Sequence, residues 1–222
     1  MSIRLGISVE GQTEEKFVKD LLAEHLASFE IYATPVIVMT SRSASGKKSK
    51  GGGINTDRVR REIGRLLQGY SDGFVTSLYD FYGFEDRNPG ETVDQLESRI
   101  AALLGTPRNF ISYVQLHEFE GLLLSDAAVA ADYFQAKPIE NLISSAVSRA
   151  GSPEGVNDSP ATAPSKRLET WTSSHAPILQ RYSKGTKTLH GPKLAAQLTL
   201  PVIRTACPRF GAWLTTLESL AG

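Results

Sequence analysis

Up to Leu116 the chain alternates short apolar runs with longer amphipathic ones, and this alternation limits the fold more than any other feature. Ile3–Val9 reads as a strand in which Ile3, Leu5, Ile7 and Val9 face one way. A helix is expected over Glu14–Phe29, carrying Phe17, Val18, Leu21, Leu22 and Leu26, and then a strand over Thr34–Thr40. The pattern repeats as helix Thr56–Leu67, strand Phe74–Tyr79, helix Thr92–Leu104 and strand Phe110–Leu116. Strands alternating with helices of this length argue for βαβ units and a mostly parallel sheet. Right-handed crossovers bring the C-terminal ends of such strands to one edge, where ligands of open α/β sheets gather.

From Gly121 onward no strand pattern is visible. Helices are expected over Leu122–Phe134 and Ile139–Ala150, followed by a long loop, Gly151–Pro164, rich in Gly, Ser, Pro, Asn and Asp. Short helices around Ser165–Trp171 and Pro192–Leu198 precede a last one, Pro201–Leu220, which Pro208 should kink or split. The expected architecture is α/β: a roughly four-stranded, mostly parallel sheet flanked by helices over residues 1–125, with a helical region over 126–222 packed on it.

Formal net charge is zero, so the molecule has no bulk attraction for nucleic acid, and binding of that kind needs a local basic patch. The single cysteine, Cys207, rules out an internal disulfide and a cysteine-cluster zinc site; its apolar surroundings suggest a buried, inert thiol. No apolar run approaches the ~20 residues that span a bilayer. The N-terminus leads into a strand rather than a signal peptide. A soluble, cytoplasmic protein without a membrane partner is the expectation.

Three acidic segments fall at the predicted strand ends. Glu10 follows the first strand and precedes Gly11, which permits a sharp turn and close approach of a ligand. Thr13 reads as a helix N-cap, with Glu14 and Glu15 at the positive end of the helix dipole. That account does not extend to Glu10. Asp80 ends the third strand ahead of Phe81, Tyr82 and Gly83, where a turn or cap is the alternative role. In His117-Glu118-Phe119-Glu120 an extended backbone would point Glu118 and Glu120 to one side; favourable placement at a helix N-terminus is the alternative. Together Glu10, Asp80, Glu118 and Glu120 would supply the oxygen ligands that Mg²⁺ or Mn²⁺ prefers. Asp86 reads as a loop residue.

Basic residues cluster twice. Arg42, Lys47, Lys48 and Lys50 lie in a glycine-rich segment that suits a phosphate backbone and equally a solvated loop; it lacks the spacing of a P-loop. Lys184 and Lys187 lie in Arg181–Lys193, where either would offset charge developing on a phosphate, or simply be solvated. There is no Gly-x-Ser-x-Gly elbow, and the four histidines lack zinc-ligand spacing.

These segments resemble a bacterial family, domain of unknown function 4276. The resemblance is carried by Val9-Glu10-Gly11 with Thr13-Glu14-Glu15, by Asp80-Phe81-Tyr82-Gly83-Phe84, and by His117-Glu118-Phe119-Glu120-Gly121-Leu122-Leu123. Asn157-Asp158-Ser159-Pro160, Ala163–Arg167 and Cys207-Pro208 with Phe210, Trp213 and Leu214 extend it over almost the whole chain. That family is similar to the Toprim superfamily and to the nuclease half of the overcoming-lysogenization-defect proteins. The resemblance implies a Toprim-like fold, the strand-end glutamate at Glu10, the first aspartate of an Asp-x-Asp pair at Asp80, and Mg or Mn as cofactor. It also implies nucleic acid as substrate and an AAA- or ABC-type ATPase partner in phage-defence gene clusters. Tyr82 stands where the second aspartate belongs and cannot replace it as a hard-metal ligand. Either Glu118 or Glu120 completes the site or catalysis is lost. The expected function is therefore a metal-dependent nuclease using Glu10, Asp80, Glu118, Glu120 and Lys187, with Arg42, Lys47, Lys48, Lys50 and Lys184 on the nucleic acid. The alternative is a non-catalytic regulator or binding partner of an ATPase.

Overall fold

A computed structural model describes residues 2–38, 54–157 and 159–222. β1 (Ile3–Val9) leads through α1 (Gln12–Phe17), a π-helical segment (Val18–Leu22) and α2 (Ala23–Ala27) to β2 (Ile31–Ile37). α3 (Thr56–Gly69), β3 (Phe74–Asp80), α4 (Val93–Leu103), β4 (Phe110–Ile111) and β5 (Val114–Gln115) follow. The strands form one parallel sheet, ordered β2-β1-β3-β4, with β5 also pairing β3. The α/β class and the parallel sheet of four to five strands agree with the sequence pattern.

Period-two alternation decides which side each strand residue serves. Leu5, Ile7, Val9 and Leu78 point into one core layer with Phe17, Leu22 and Leu26. Val75 and Tyr79 point into the other, against Val59 and Ile63 of α3 and Leu96 and Ile100 of α4. α3 starts cleanly because Asn55 accepts from the Arg58 amide at 2.9 Å. Asp86, expected to be an ordinary loop residue, also holds that start, accepting from the Thr56 amide at 3.0 Å. α4 begins with a reciprocal capping box between Thr92 and Gln95.

Two strand boundaries differ from expectation. β2 begins at Ile31 rather than Thr34, because its parallel register pairs Ile31 with Ile3 at the start of β1. The expected strand Phe110–Leu116 is two short pieces. Between them the hydroxyl of Ser77 donates to the Tyr113 carbonyl at 2.9 Å and accepts from the Tyr113 amide at 3.0 Å. Thr76 Oγ1 likewise donates to the Ile111 carbonyl at 2.7 Å. Side-chain hydroxyls thus take over hydrogen bonds that a ladder would otherwise make.

After a 3₁₀ turn (Phe119–Leu124), where a longer helix from Leu122 was expected, come α5 (Ala127–Tyr133), α6 (Pro138–Ala150) and α7 (Pro164–His175). α8 (Lys187–Leu198), α9 (Leu200–Ala206) and α10 (Pro208–Glu218) complete the chain, with the expected break at Pro208 separating the last two. Leu168, Leu194, Ile203, Phe210 and Leu214 join the same core layer as Leu5 and Ile7. Trp213 anchors α10 to the sheet by stacking on Tyr113 at 4.4 Å and donating to Thr76 Oγ1 at 2.9 Å. Cys207 is buried, and burial pushes its thiol up to about 12. Among the described residues no helix is long and apolar enough to cross a membrane.

Candidate functional site

Glu10 sits where β1 ends and α1 has not yet begun. The N-cap of α1 is Gly11, in extended conformation with no side-chain cap bond, so the expected capping by Thr13 is not what the structure has. Thr13 is instead a packing residue: it is buried, its Oγ1 has no hydrogen-bond partner, and it faces α8. A Cβ added at Gly191 of α8 would lie only 2.8 Å from Thr13 Cγ2, so glycine there is what lets α8 close against α1. That contact brings Lys187, at the first residue of α8, over the strand ends. Glu14 and Glu15 lie in the first turn of α1 as expected, but only Glu14 is buried. It is 5% exposed and belongs to the acidic cluster, while Glu15 makes a surface pair with Lys19 at 2.7 Å.

Asp80, the last residue of β3, accepts from the Phe119 amide through Oδ1 at 2.7 Å. The Tyr82 amide donates to the His117 carbonyl at 3.0 Å. These bonds tie the segment after β3 to the segment after β5. His117 turns the chain with a left-handed φ of 64°, a conformation non-glycine residues seldom adopt. Glu118 then caps the 3₁₀ turn in extended conformation, and Glu120 already lies inside that turn. The same-side arrangement of an extended segment is therefore replaced. Glu118 Oε2 accepts from the Ser165 amide at 3.0 Å, at the start of α7. Glu120 is buried, accepts from the Tyr182 hydroxyl at 2.7 Å, and has Lys187 Nζ at 3.9 Å.

The electrostatics follow from this crowding. Burial, then the Glu14 carboxylate, push Glu10 up to about 7, with Lys187 opposing. Asp80 is raised well above the usual carboxylate range by burial and then by Glu10, Glu14, Glu120 and Glu118. Burial raises Glu14 and Glu120 too. For Lys187 burial works against the charge, yet Glu120, Glu14, Asp80 and Glu10 outweigh it and hold the ammonium above its ordinary value. Several acids thus press on one another around one lysine, so their carboxyls hold protons that isolated carboxyls would release.

The donor chemistry fits a hard divalent cation. Glu10 Oε2 is buried without a hydrogen-bond partner. A Cβ at Gly83 would come within 2.4 Å of that oxygen, so glycine there is what lets the Glu10 carboxylate pack against the turn. Among the described residues, however, no three acidic, histidine or cysteine side chains stand ready-made as metal ligands. Asp80, Glu118 and Glu120 are instead held by the Phe119 amide, the Ser165 amide and the Tyr182 hydroxyl.

Glu10, Asp80 and Glu120 come together at the strand ends, with Glu118 on the flank toward α7; Lys187, which no strand-end pattern places there, joins them from α8. Lys184 is exposed on the rim of an adjoining cleft of about 260 Å³. Arg42, Lys47, Lys48 and Lys50 lie outside the described residues. Tyr82 does not turn to the acids: its hydroxyl accepts from Asn157 Nδ2 and its ring lies 5.2 Å from that of His117. Sequence reasoning missed Glu14 and Tyr182. Glu14 stood inside the Val9–Glu15 motif and was read as a dipole residue; no sequence pattern brings Tyr182 to Glu120 across 62 positions.

No curated protein and no solved structure matches the chain significantly. One family model does, over residues 9–218, which contain every acid of the site: the chain belongs to the family described as domain of unknown function (DUF4276).

Proposed function

We propose that the protein is a metal-dependent phosphodiesterase acting on nucleic acid. The observation that carries this reading is the crowding of several acids around one lysine at the C-terminal edge of the sheet, with one oxygen of Glu10 left without a partner. Glu10, Asp80, Glu118 and Glu120 would hold Mg²⁺ or Mn²⁺, which when bound supplies Lewis-acid polarisation of a phosphoryl oxygen and a more acidic water. Lys187 would neutralise charge developing on the phosphate, a task suited to an ammonium kept charged in a partly closed site. Tyr182 fixes the orientation of Glu120, and the Phe119 amide that of Asp80. The substrate class, an ATPase partner and a role in phage defence rest on resemblance alone.

The test is cleavage of single- and double-stranded DNA and RNA with Mn²⁺. Asp80→Asn, which keeps the shape of the side chain, should abolish cleavage in a folded protein; retained cleavage sinks the assignment. A second reading, a non-catalytic regulator of an ATPase, is favoured by Tyr82 at the second aspartate position and by the absence of a ready-made ligand triad among the described residues. It predicts that a quadruple variant of Glu10, Asp80, Glu118 and Glu120 still co-purifies with the ATPase.

A further inference from the structure

We propose that the cleft beside the acidic cluster is a subsite for a phosphate monoester, the terminal phosphate of a nucleotide or of a strand end. The proposal deepens the phosphodiesterase reading and rests on it for the identity of the substrate. Glu118, Tyr182 and Lys187 line both the cleft and the acidic cluster, so a group held in the cleft lies directly beside the proposed reaction centre.

The character of the cleft differs from that of the cluster. Lys166, Lys184 and Lys187 reach it from two separate segments, the start of α7 and the approach to α8. Its own acids already have partners: Glu169 pairs with Lys166 at 3.2 Å, and Glu118 accepts from the Ser165 amide. Lys184 makes no ion pair with any described residue, and Lys187 meets Glu120 only at 3.9 Å. The lining itself thus sets three ammonium groups against two carboxylates, with Lys187 shared with the acidic cluster and Lys184 the lysine left without an acidic partner among the described residues, and the ligand that Lys184 would recognise is an anion.

Size and charge narrow the class. A volume of about 260 Å³ falls below the roughly 300–1,000 Å³ of pockets that take drug-sized ligands, so the cleft admits a phosphate with its sugar rather than a base pair. A monoester carries about −1.5 to −2 charge at neutral pH and three acceptor oxygens, and so draws on several lysines at once. A diester within a strand, with a single charge, uses that donor set less fully. The hydroxyls of Ser165 and Ser183 also line the cleft and add neutral donors.

The experiment is calorimetric titration of adenosine 5′-monophosphate, orthophosphate and adenosine into the full chain without divalent metal. The wild type should bind the monophosphate and not adenosine. Lys166→Ala/Lys184→Ala should weaken that binding roughly tenfold or more, as loss of charge-assisted hydrogen bonds implies, and Lys184→Arg should retain most of it. Both lysines are exposed, so the double variant should keep the wild-type unfolding transition. Orthophosphate binding as tightly as the monophosphate would support the subsite and identify free phosphate as a sufficient ligand. Preference for a 5′-phosphorylated over a 5′-hydroxyl oligonucleotide in competition would identify strand ends. Absence of binding by both phosphates, or equal binding by the double variant, overturns the proposal. Because no metal is present, a protein that binds but does not cleave loses only the phosphodiesterase reading. One that cleaves but does not bind loses only the subsite.

Discussion

Two regions of this molecule bury carboxylates, and they treat them in opposite ways. Around Arg209 every acid is matched. Glu97 pairs with the guanidinium at 2.5 Å and accepts from the Val114 amide at 2.6 Å; Asp94 takes a second guanidinium nitrogen. Glu154 accepts from the Arg209 and Phe210 amides at 2.9 and 3.0 Å, capping the first turn of α10 from a distant loop. Burial still raises Glu97 and Glu154, but hydrogen bonds from Arg209 and its neighbours oppose it. At the sheet edge, Glu10, Glu14, Asp80 and Glu120 face one another with Lys187 as counter-charge. The same residue type at similar depth is structural in one place and strained in the other. Burial of an acid is thus not itself the mark of a site; what sets the sheet edge apart is several acids crowded around a single lysine.

The contrast breaks most visibly at Arg209. Arg209→Leu leaves the half-buried Glu97 without its guanidinium partner and should cost about 1.5–3 kcal/mol, as loss of hydrogen bonds to a charged group does; chemical denaturation reads it directly. A loss below ~1 kcal/mol would mean the network is no better matched than the sheet edge.

At the sheet edge the sign reverses. The folded state holds the Glu10 proton up to about 7, whereas the unfolded chain releases it near 4.5. Stability from this group is therefore fully present below pH 4.5 and lost as pH rises through 7, by at most ~3 kcal/mol at 1.36 kcal/mol per pKa unit. Glu10→Gln should flatten the fall across that window without removing it, because Asp80, Glu14 and Glu120 are raised too. Unfolding curves at stepped pH settle the point, and an unchanged slope in the variant removes Glu10 from the strained cluster.

Gly83 sharpens the comparison by steric means. In Gly83→Ala the new methyl would collide with Glu10 Oε2, so Mn²⁺ affinity should fall roughly tenfold, a 1.4 kcal/mol effect, while thermal stability barely moves. Wild-type affinity in that variant would show that Glu10 Oε2 is not turned to a ligand. The smallest effect belongs to His117. If its left-handed backbone is strained, His117→Gly should be more stable than His117→Ala by about 1 kcal/mol, since only glycine takes that conformation freely.

The legible part of the structure was that governed by local periodicity. The limits of β1 and the class of the sheet follow from alternation in Ile3–Val9 and Phe74–Tyr79, and the strand-end rule brings Glu10, Asp80 and Glu120 to one edge. What sequence could not reveal depends on long-range packing. Thr13 reads as a cap from its neighbours but is claimed by Gly191 of α8, and Glu14 beside it is buried. Ser77 interrupts the last strand through a side-chain bond that no strand pattern anticipates. Glu154 and Arg209 meet across 55 positions and left no local signal.

The central claim of the proposed function, that the crowded acids bind a divalent cation, is tested most directly by calorimetric titration of Mn²⁺ near pH 7 in buffers of different ionisation enthalpy. Wild type should bind Mn²⁺ and release protons, because carboxyls raised by burial must ionise to ligate a metal, and Asp80→Asn should bind at least roughly tenfold more weakly. Absence of binding in the wild type, or equal binding without proton release in both proteins, would contradict the account.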